Sequence, residues 1–444
     1  MKKTLLRATF CITAGVLSSY ALARSYYVDP AVGNMNNPGT ADEPWSTLEA
    51  VFASGKSFAA GDTIHCRNGF HGSPVITGDP GEGAVTILAE SGQTLRLKNM
   101  VFSNASHWIV SGLDLSPMNA GPGFDKRPIV NIGRDCRFIT IDRCTIYHAV
   151  DITGWLAANF NERMGTGIDC KGADCTFTRN HIKNTRYSIA VKPTAVRATA
   201  RHNLIEYILE DGIRCLADDG LYEYNTLRDW YGVTRRDHDD GFQSWTDGPG
   251  KGVIYRNTIR GNVIINLTDP KNPFPGKKSM GAYASDGIGL FDGMYDGWII
   301  ENNVIINDNG HGIAVFGGVN CRVSNNTVIK NPHRLNDDFP WITITRHKNG
   351  APGSGNILNN NLSSIAPIDT FSIAPGVVQS GNQFVGTATE VYFVDYAHRD
   401  LHLKAGSPAI DAGTADNAPA IDIDRVARSV PYDVGAYEFQ TAPR

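Results

Sequence analysis

The chain has little of what marks several large protein classes. Lys and Arg (41) nearly balance Asp and Glu (45), for a net charge of −4. So small an excess gives no electrostatic reason to expect a nucleic-acid or membrane-surface partner. No Cys-x-x-Cys pair occurs, which argues against a zinc or dithiol redox centre. Beyond the first two dozen residues no apolar run is long enough to cross a bilayer. Blocks of helix-forming residues are scarce, whereas Gly is abundant at 46 residues, the composition of turn-rich β structure.

At the N-terminus Lys2, Lys3 and Arg7 precede a short apolar run, and Ala21-Leu22-Ala23 supplies a small-x-small cleavage pattern. Residues 1–23 therefore read as a signal peptide, and the expected destination is secreted or periplasmic, without a membrane anchor. Export permits disulfides. The remaining cysteines, Cys66, Cys136, Cys144, Cys170, Cys175, Cys215 and Cys321, are odd in number. They fall on apolar strand positions, where Cys behaves as a small hydrophobe, so at most one or two bridges are expected.

What the chain does have is repetition. An Asn-x-hydrophobic phrase recurs at Asn180, Asn203, Asn225, Asn257, Asn303, Asn326 and Asn360, with several spacings of 22 or 23 residues. Each is followed by a small or acidic residue leading an apolar alternation: Tyr187-Ser188-Ile189, Asp211-Gly212-Ile213, Asp240-Gly241-Phe242, Asp286-Gly287-Ile288 and His311-Gly312-Ile313. Short strands and turns at this period predict an all-β fold, a parallel β-helix whose rungs share one core and whose ends need capping. Stacked Asn side chains can bond along the axis as a ladder. The expected layout is an N-terminal cap and first rungs over 24–100, a β-helix with the groove over 101–375, and a C-terminal capping segment over 376–444. A capping box of Ser46 and Glu49 opens a short helix in the first cap, and a monomer is expected.

Strand alternation then sorts the side chains. With the apolar residue inward, one outward column reads Ala190, Arg214, Gln243, Gly289, Ala314 and Thr343. A second reads Lys192, Leu216, Trp245, Phe291, Phe316 and Thr345. An exposed aromatic column of Trp245, Phe291 and Phe316 suits stacking on sugar rings. The densest stretch is Asp237-His238-Asp239-Asp240-Gly241-Phe242-Gln243-Ser244-Trp245, with Arg235 and Arg236 just before it. Arg235, Arg236, Asp240, Gln243, Trp245, Phe291, His311 and Phe316 are the expected substrate-binding residues. No cofactor is required by any motif. Asp237, Asp239 and Asp286 are candidate oxygen ligands for calcium, although clustered Asp before Gly also serves turn chemistry.

The chain resembles the right-handed parallel β-helix proteins of carbohydrate metabolism. Tyr26-Tyr27-Val28-Asp29 through Pro44-Trp45-Ser46-Thr47-Leu48 is similar to the cap of secreted members. Gly406-Ser407-Pro408-Ala409-Ile410-Asp411-Ala412-Gly413 with Asp433 to Phe439 is similar to their C-terminal segment. The resemblance implies an acidic polysaccharide as partner. In chondroitinase-B-like and alginate lyases a Lys and an Arg on consecutive rungs act as base and acid. Here Lys192 and Arg214 take those places, with Arg214 two strand positions early. A uronate lyase, with alginate as the first substrate guess, is the leading expectation. Alginate epimerases carry a Tyr and an Asp-Pro-His-acid motif, which Tyr231 and Asp237-His238-Asp239 imitate without the Pro. That reading makes Tyr231 and His238 the acid–base pair. A polygalacturonase-like hydrolase would use Asp239-Asp240 with Gly310-His311-Gly312, but lacks the Arg-x-Lys signature. A non-catalytic carbohydrate-binding β-helix predicts the same aromatics.

Overall fold

The computed structural model describes residues 22–233, 239–246, 252–268, 285–333, 338–368 and 371–441. Arg235, Arg236, Asp237 and His238, together with residues 1–21, lie outside them. The strands of the repeat pair in parallel through rung after rung, so the expected parallel β-helix forms, and three strand positions repeat around each coil; Phe393–Asp395 and Asp400–Leu403 form a separate antiparallel pair.

Inward side chains stack in columns because each rung repeats the register of the last. On one face Ile64, Ile87, Val110, Ile141 and Phe177 lie in register. On the groove face Ile168, Ile189, Ile213, Phe242, Ile288 and Ile313 do the same. All are fully buried, and stacking supplies the apolar contact that a single rung cannot make alone.

The Gly of the Asp-Gly phrase has a packing reason. A Cβ on Gly241 would sit 2.5 Å from the Gly287 carbonyl oxygen of the next rung, and one on Gly287 would sit 2.2 Å from that of Gly312. Only a residue without a side chain lets the backbones approach so closely.

The Asn ladder is real, with two members corrected. Asn180, Asn203, Asn225, Asn262, Asn303, Asn326 and Asn361 each donate from Nδ2 to the Oδ1 of the next, at 2.9–3.0 Å, and the series ends on Asn382. Asn257 belongs to another corner, bonding Gly220 and Ala217, and Asn360 bonds Asn325 and Thr414. In both places Asn pairs or nearby Asn residues blur the phrase, and only the rung register separates ladder from neighbour.

The first helix is Leu48–Ala53, and its N-cap is Thr47, whose side chain accepts from the Ala50 N–H at 3.1 Å. Ser46 and Glu49 therefore do not form the expected box. The described cysteines are all free and buried, so the expected bridge does not form among them. The segment beyond 376 packs its apolar side chains (Phe393, Leu401, Leu403, Val434) against Val304, Ile306, Ile329 and Leu362. It lies along the outward side of the strands that follow the ladder. Among the described residues no helix is long and apolar enough to cross a membrane.

Candidate active site

The groove-face strands Thr166–Cys170, His181–Val191, Leu204–Cys215, Asp240–Trp245, Asp286–Asp292, His311–Phe316 and Trp341–Thr345 run side by side. Their register places Asp169, Ala190, Arg214, Gln243, Gly289, Ala314 and Thr343 in one outward column. The first expected column is thus correct and extends back by one rung to Asp169.

The second column changes at Trp245. The ladder slips between Ser244 and Trp245, so Trp245 faces Asp292 instead of Phe291. Such a bulge re-aims a side chain, and Trp245 is left half-buried at the edge of an open cavity of about 240 Å³. Arg214, Gln243, Ser244, Phe291 and Asp292 complete its lining.

Arg214 is held from three sides. Its guanidinium lies 3.3 Å from the Tyr187 ring centre and 4.9 Å from that of Trp245. Its Nε donates to Asp211 at 2.5 Å, and Glu210 lies 3.7 Å from Nη2. Stacked, paired and only partly exposed, this cation is fixed in orientation, as planar carboxylate recognition requires.

Beneath it runs a stack of acids. Asp211 lies within its strand, Asp240 and Asp286 lead the next two, and Asp240 and Asp286 are in register. Asp211 and Asp240 are fully buried, and Asp239 and Asp286 nearly so. Gln243 donates to Asp240 at 2.9 Å, and His311 Nδ1 lies 3.1 Å from Asp286 Oδ2. Gly289 leaves the space that the Asp240 carboxylate fills, since a Cβ there would lie 2.3 Å from Oδ1. Burial, then the Asp286, Asp211 and Asp239 carboxylates, push the Asp240 carboxyl well above its usual range.

Asp211 is pushed up to about 7: burial outweighs the Arg214 guanidinium, and Glu210 adds to the rise. A carboxyl raised above its ordinary value binds its proton more tightly in the folded protein, so the native state gains most below about 4. That gain is lost as pH rises through about 7. Thermal melts between these limits should show stability falling with pH, and Asp211→Asn should flatten the curve. An equally steep curve in the variant would remove Asp211 as its source.

The remaining expected residues are dispersed. Lys192 is not part of the cavity lining. Its Nζ lies 3.3 Å from Asp169, which also holds Lys171 at 2.9 Å. Phe291 and Phe316 are not an open platform: they are 8% and 6% exposed and pack with Trp341 and Phe371. The segment bearing Ile365 and Phe371 covers them, and no alternation pattern shows a covering segment. Phe291 still borders the cavity. Tyr231 is buried against Phe160, Met164 and Leu209, with its hydroxyl on Asn184. It lines a different hollow of about 140 Å³ with Asp151, Thr153 and Tyr207, because the chain turns a corner before reaching the groove strand. His238, its expected partner, and Arg235, Arg236 and Asp237 lie outside the described residues. Asp239 and Asp286 flank Asp240, but among the described residues no group of three His, Cys, Asp or Glu is arranged to hold a metal ion.

Sequence reasoning named Tyr187 in the repeat without a role in the site, and passed over Glu210, Asp169 and Lys171. Extending the column one rung back would have found Asp169. The slip that brings in Asp292 leaves no sequence signal.

The architecture defines a class, the parallel β-helix proteins. No family model and no curated protein matches the chain. Among solved structures, it is similar to pectate lyase Pel9A, at 14% identity over 95% of this chain and 98% of that one, with a TM-score of 0.55. A PL6 alginate lyase in complex with a trisaccharide matches at 13% identity over 95% and 97%, with a TM-score of 0.47. An alginate lyase from Paenibacillus sp. str. FPU-7 matches at 10% over 74% and 97%, with 0.42. At these identities the likeness to Pel9A shows the fold.

Proposed function

We propose that the protein is a lyase that cleaves a uronate-containing acidic polysaccharide by β-elimination. The observation that carries this reading is Arg214, clamped between Tyr187 and Trp245 at the mouth of the cavity. The β-helix lyases that the chain resembles in fold, pectate lyase Pel9A among them, support it. An alginate-like polymer is the first substrate to try.

Removing the proton at C5 of a uronate leaves negative charge on its carboxylate, and a fixed cation there lowers the barrier. Arg214 supplies that cation. Lys192 projects from the adjacent rung, since Ala190 and Arg214 are in register, and a long flexible side chain can reach the same sugar. In this assignment Lys192, in its unprotonated form, takes the C5 proton, the electron pair forms the C4–C5 double bond, the C4–O bond breaks, and the departing oxygen takes a proton from solvent water. Trp245 stacks on the sugar, and Gln243 bonds a hydroxyl. The cleavable leader proposed for residues 1–23 would place the enzyme where such polymers occur.

Incubation with alginate, polygalacturonate and chondroitin distinguishes the outcomes. Ultraviolet absorbance of an unsaturated uronate is the expected result, and Lys192→Ala should lower its rate by roughly 10²–10⁴-fold, the scale of a lost general base. New reducing ends without that absorbance would mean a hydrolase. Altered proton spectra of an uncut polymer would mean an epimerase, and binding alone a carbohydrate-binding module.

A further inference from the structure

The column that carries Arg214 continues past the cavity in both directions, and the two directions differ in chemistry. Toward the C-terminal end Gly289 is followed by Ala314 and Thr343. There the surface is sealed: Phe316 and Trp341 are buried with Ile365 and Phe371 packed on them, and Thr343 Oγ1 donates to the Phe371 carbonyl at 2.7 Å. A polar chain gains nothing from that end.

Toward the N-terminal end the column reads Ala190, Asp169 and Asn131. Ala190 is small and leaves the strand surface low. Asp169 is 6% exposed, yet it faces two lysine nitrogens, Lys171 Nζ at 2.9 Å and Lys192 Nζ at 3.3 Å. Their side chains are 42% and 31% exposed. With Lys192 unprotonated to act as base, the charge at the groove surface is that of Lys171, the more exposed of the two side chains. Beside it, Asn131 Oδ1 is sealed from solvent and accepts no hydrogen bond among the described residues. With rungs about 4.8 Å apart, Asp169 lies roughly 10 Å from the Arg214 position.

We infer that the groove has a second anion-reading subsite over the Asn131 and Asp169 rungs, where Lys171 binds an acidic sugar further along the same polysaccharide. This deepens the reading of the groove as an acidic-polysaccharide site and rests on it. The bound chain then extends from Arg214 toward the N-terminal end of the solenoid only. The buried Asp169 carboxylate keeps Lys171 upright while leaving part of its charge for the ligand. Two cations in a line select polymers with closely repeated acidic groups over polymers whose acidic groups are isolated.

The test is calorimetric titration of the full chain with galacturonate and alginate oligomers of two to six sugars, at low and high salt. Wild-type affinity should rise with length. Lys171→Gln should lower the affinity for the longest oligomers about tenfold, the size expected for one charge-assisted contact, and leave dimers nearly unchanged. Its salt dependence should also be shallower, and Lys171→Arg should restore both. Asp169→Asn, which removes the carboxylate that counters Lys171, should act in the opposite direction and tighten binding of long oligomers. An equal effect of Lys171→Gln at every length, or none, with Asp169→Asn neutral or weaker, overturns the subsite alone. Failure of every oligomer to bind the wild type overturns the groove reading together with it.

Discussion

Replacing Arg214 by alanine should cost roughly 10²–10³-fold in the rate of unsaturated product formation, the scale of losing one fixed charge-stabilising donor. Substrate affinity should fall as well, because the same guanidinium holds the carboxylate in the ground state. The variant also uncovers Glu210, which now shares Arg214 with Asp211, and its carboxylate would repel an acidic sugar. Lys at this position should recover little. An ammonium keeps the charge but loses the planar face that Tyr187 and Trp245 grip. Trp245→Ala provides the companion measurement: it leaves the charge and removes one wall, so affinity should drop more than turnover. Full activity in Arg214→Ala, with product followed by ultraviolet absorbance, would sink the assignment of Arg214 as the carboxylate receiver.

Replacing Asn262 by alanine should be the most damaging small change to the scaffold. Asn262 Oδ1 accepts from the Asn225 backbone N–H at 2.9 Å and from Asn225 Nδ2 at 3.0 Å. Its own Nδ2 donates to the Tyr222 carbonyl and to Asn303 Oδ1, each at 3.0 Å. All three Asn residues are buried. The substitution would leave buried groups on both neighbouring rungs without partners, at about 1–3 kcal/mol each, so a loss on the order of 3–5 kcal/mol is expected. Because each rung rests on the next, the loss should appear as earlier unfolding of the central rungs in urea and as faster amide exchange there. Unchanged exchange at Asn225 and Tyr222 would show that the ladder carries no such energy.

How the site was legible differs residue by residue. Arg214, Gln243 and Gly289 could be aligned from the alternation around Ile213, Phe242 and Ile288, because a strand that buries one face has a register that cannot shift without exposing its core. Trp245 was assigned to the right groove but given the wrong neighbour. A one-residue slip after Ser244 turns it toward Asp292, and both registers have the same sequence. Phe316 reads as exposed by alternation and is buried by a segment more than fifty residues away in sequence, around Phe371. Tyr231 looked adjacent to the groove in the chain, yet it is folded into a separate cluster with Phe160 and Met164. The ladder phrase at Asn257 had the same local pattern as its true members and occupies another corner.

By itself the sequence determined the repeat, the parallel stacking, the inward columns and the outward polarity of the groove face, because these follow from local periodicity summed over many rungs. Tertiary structure decided what no period encodes. The bulge at Trp245, the cover over Phe316, the clamp of Tyr187 and Trp245 on Arg214, and the sharing of Asp169 by Lys171 and Lys192 all join residues whose separations in the chain are unrelated. The physical reason is that a solenoid specifies its core by repetition, whereas its site is built from the departures from repetition, each settled by packing and charge in three dimensions.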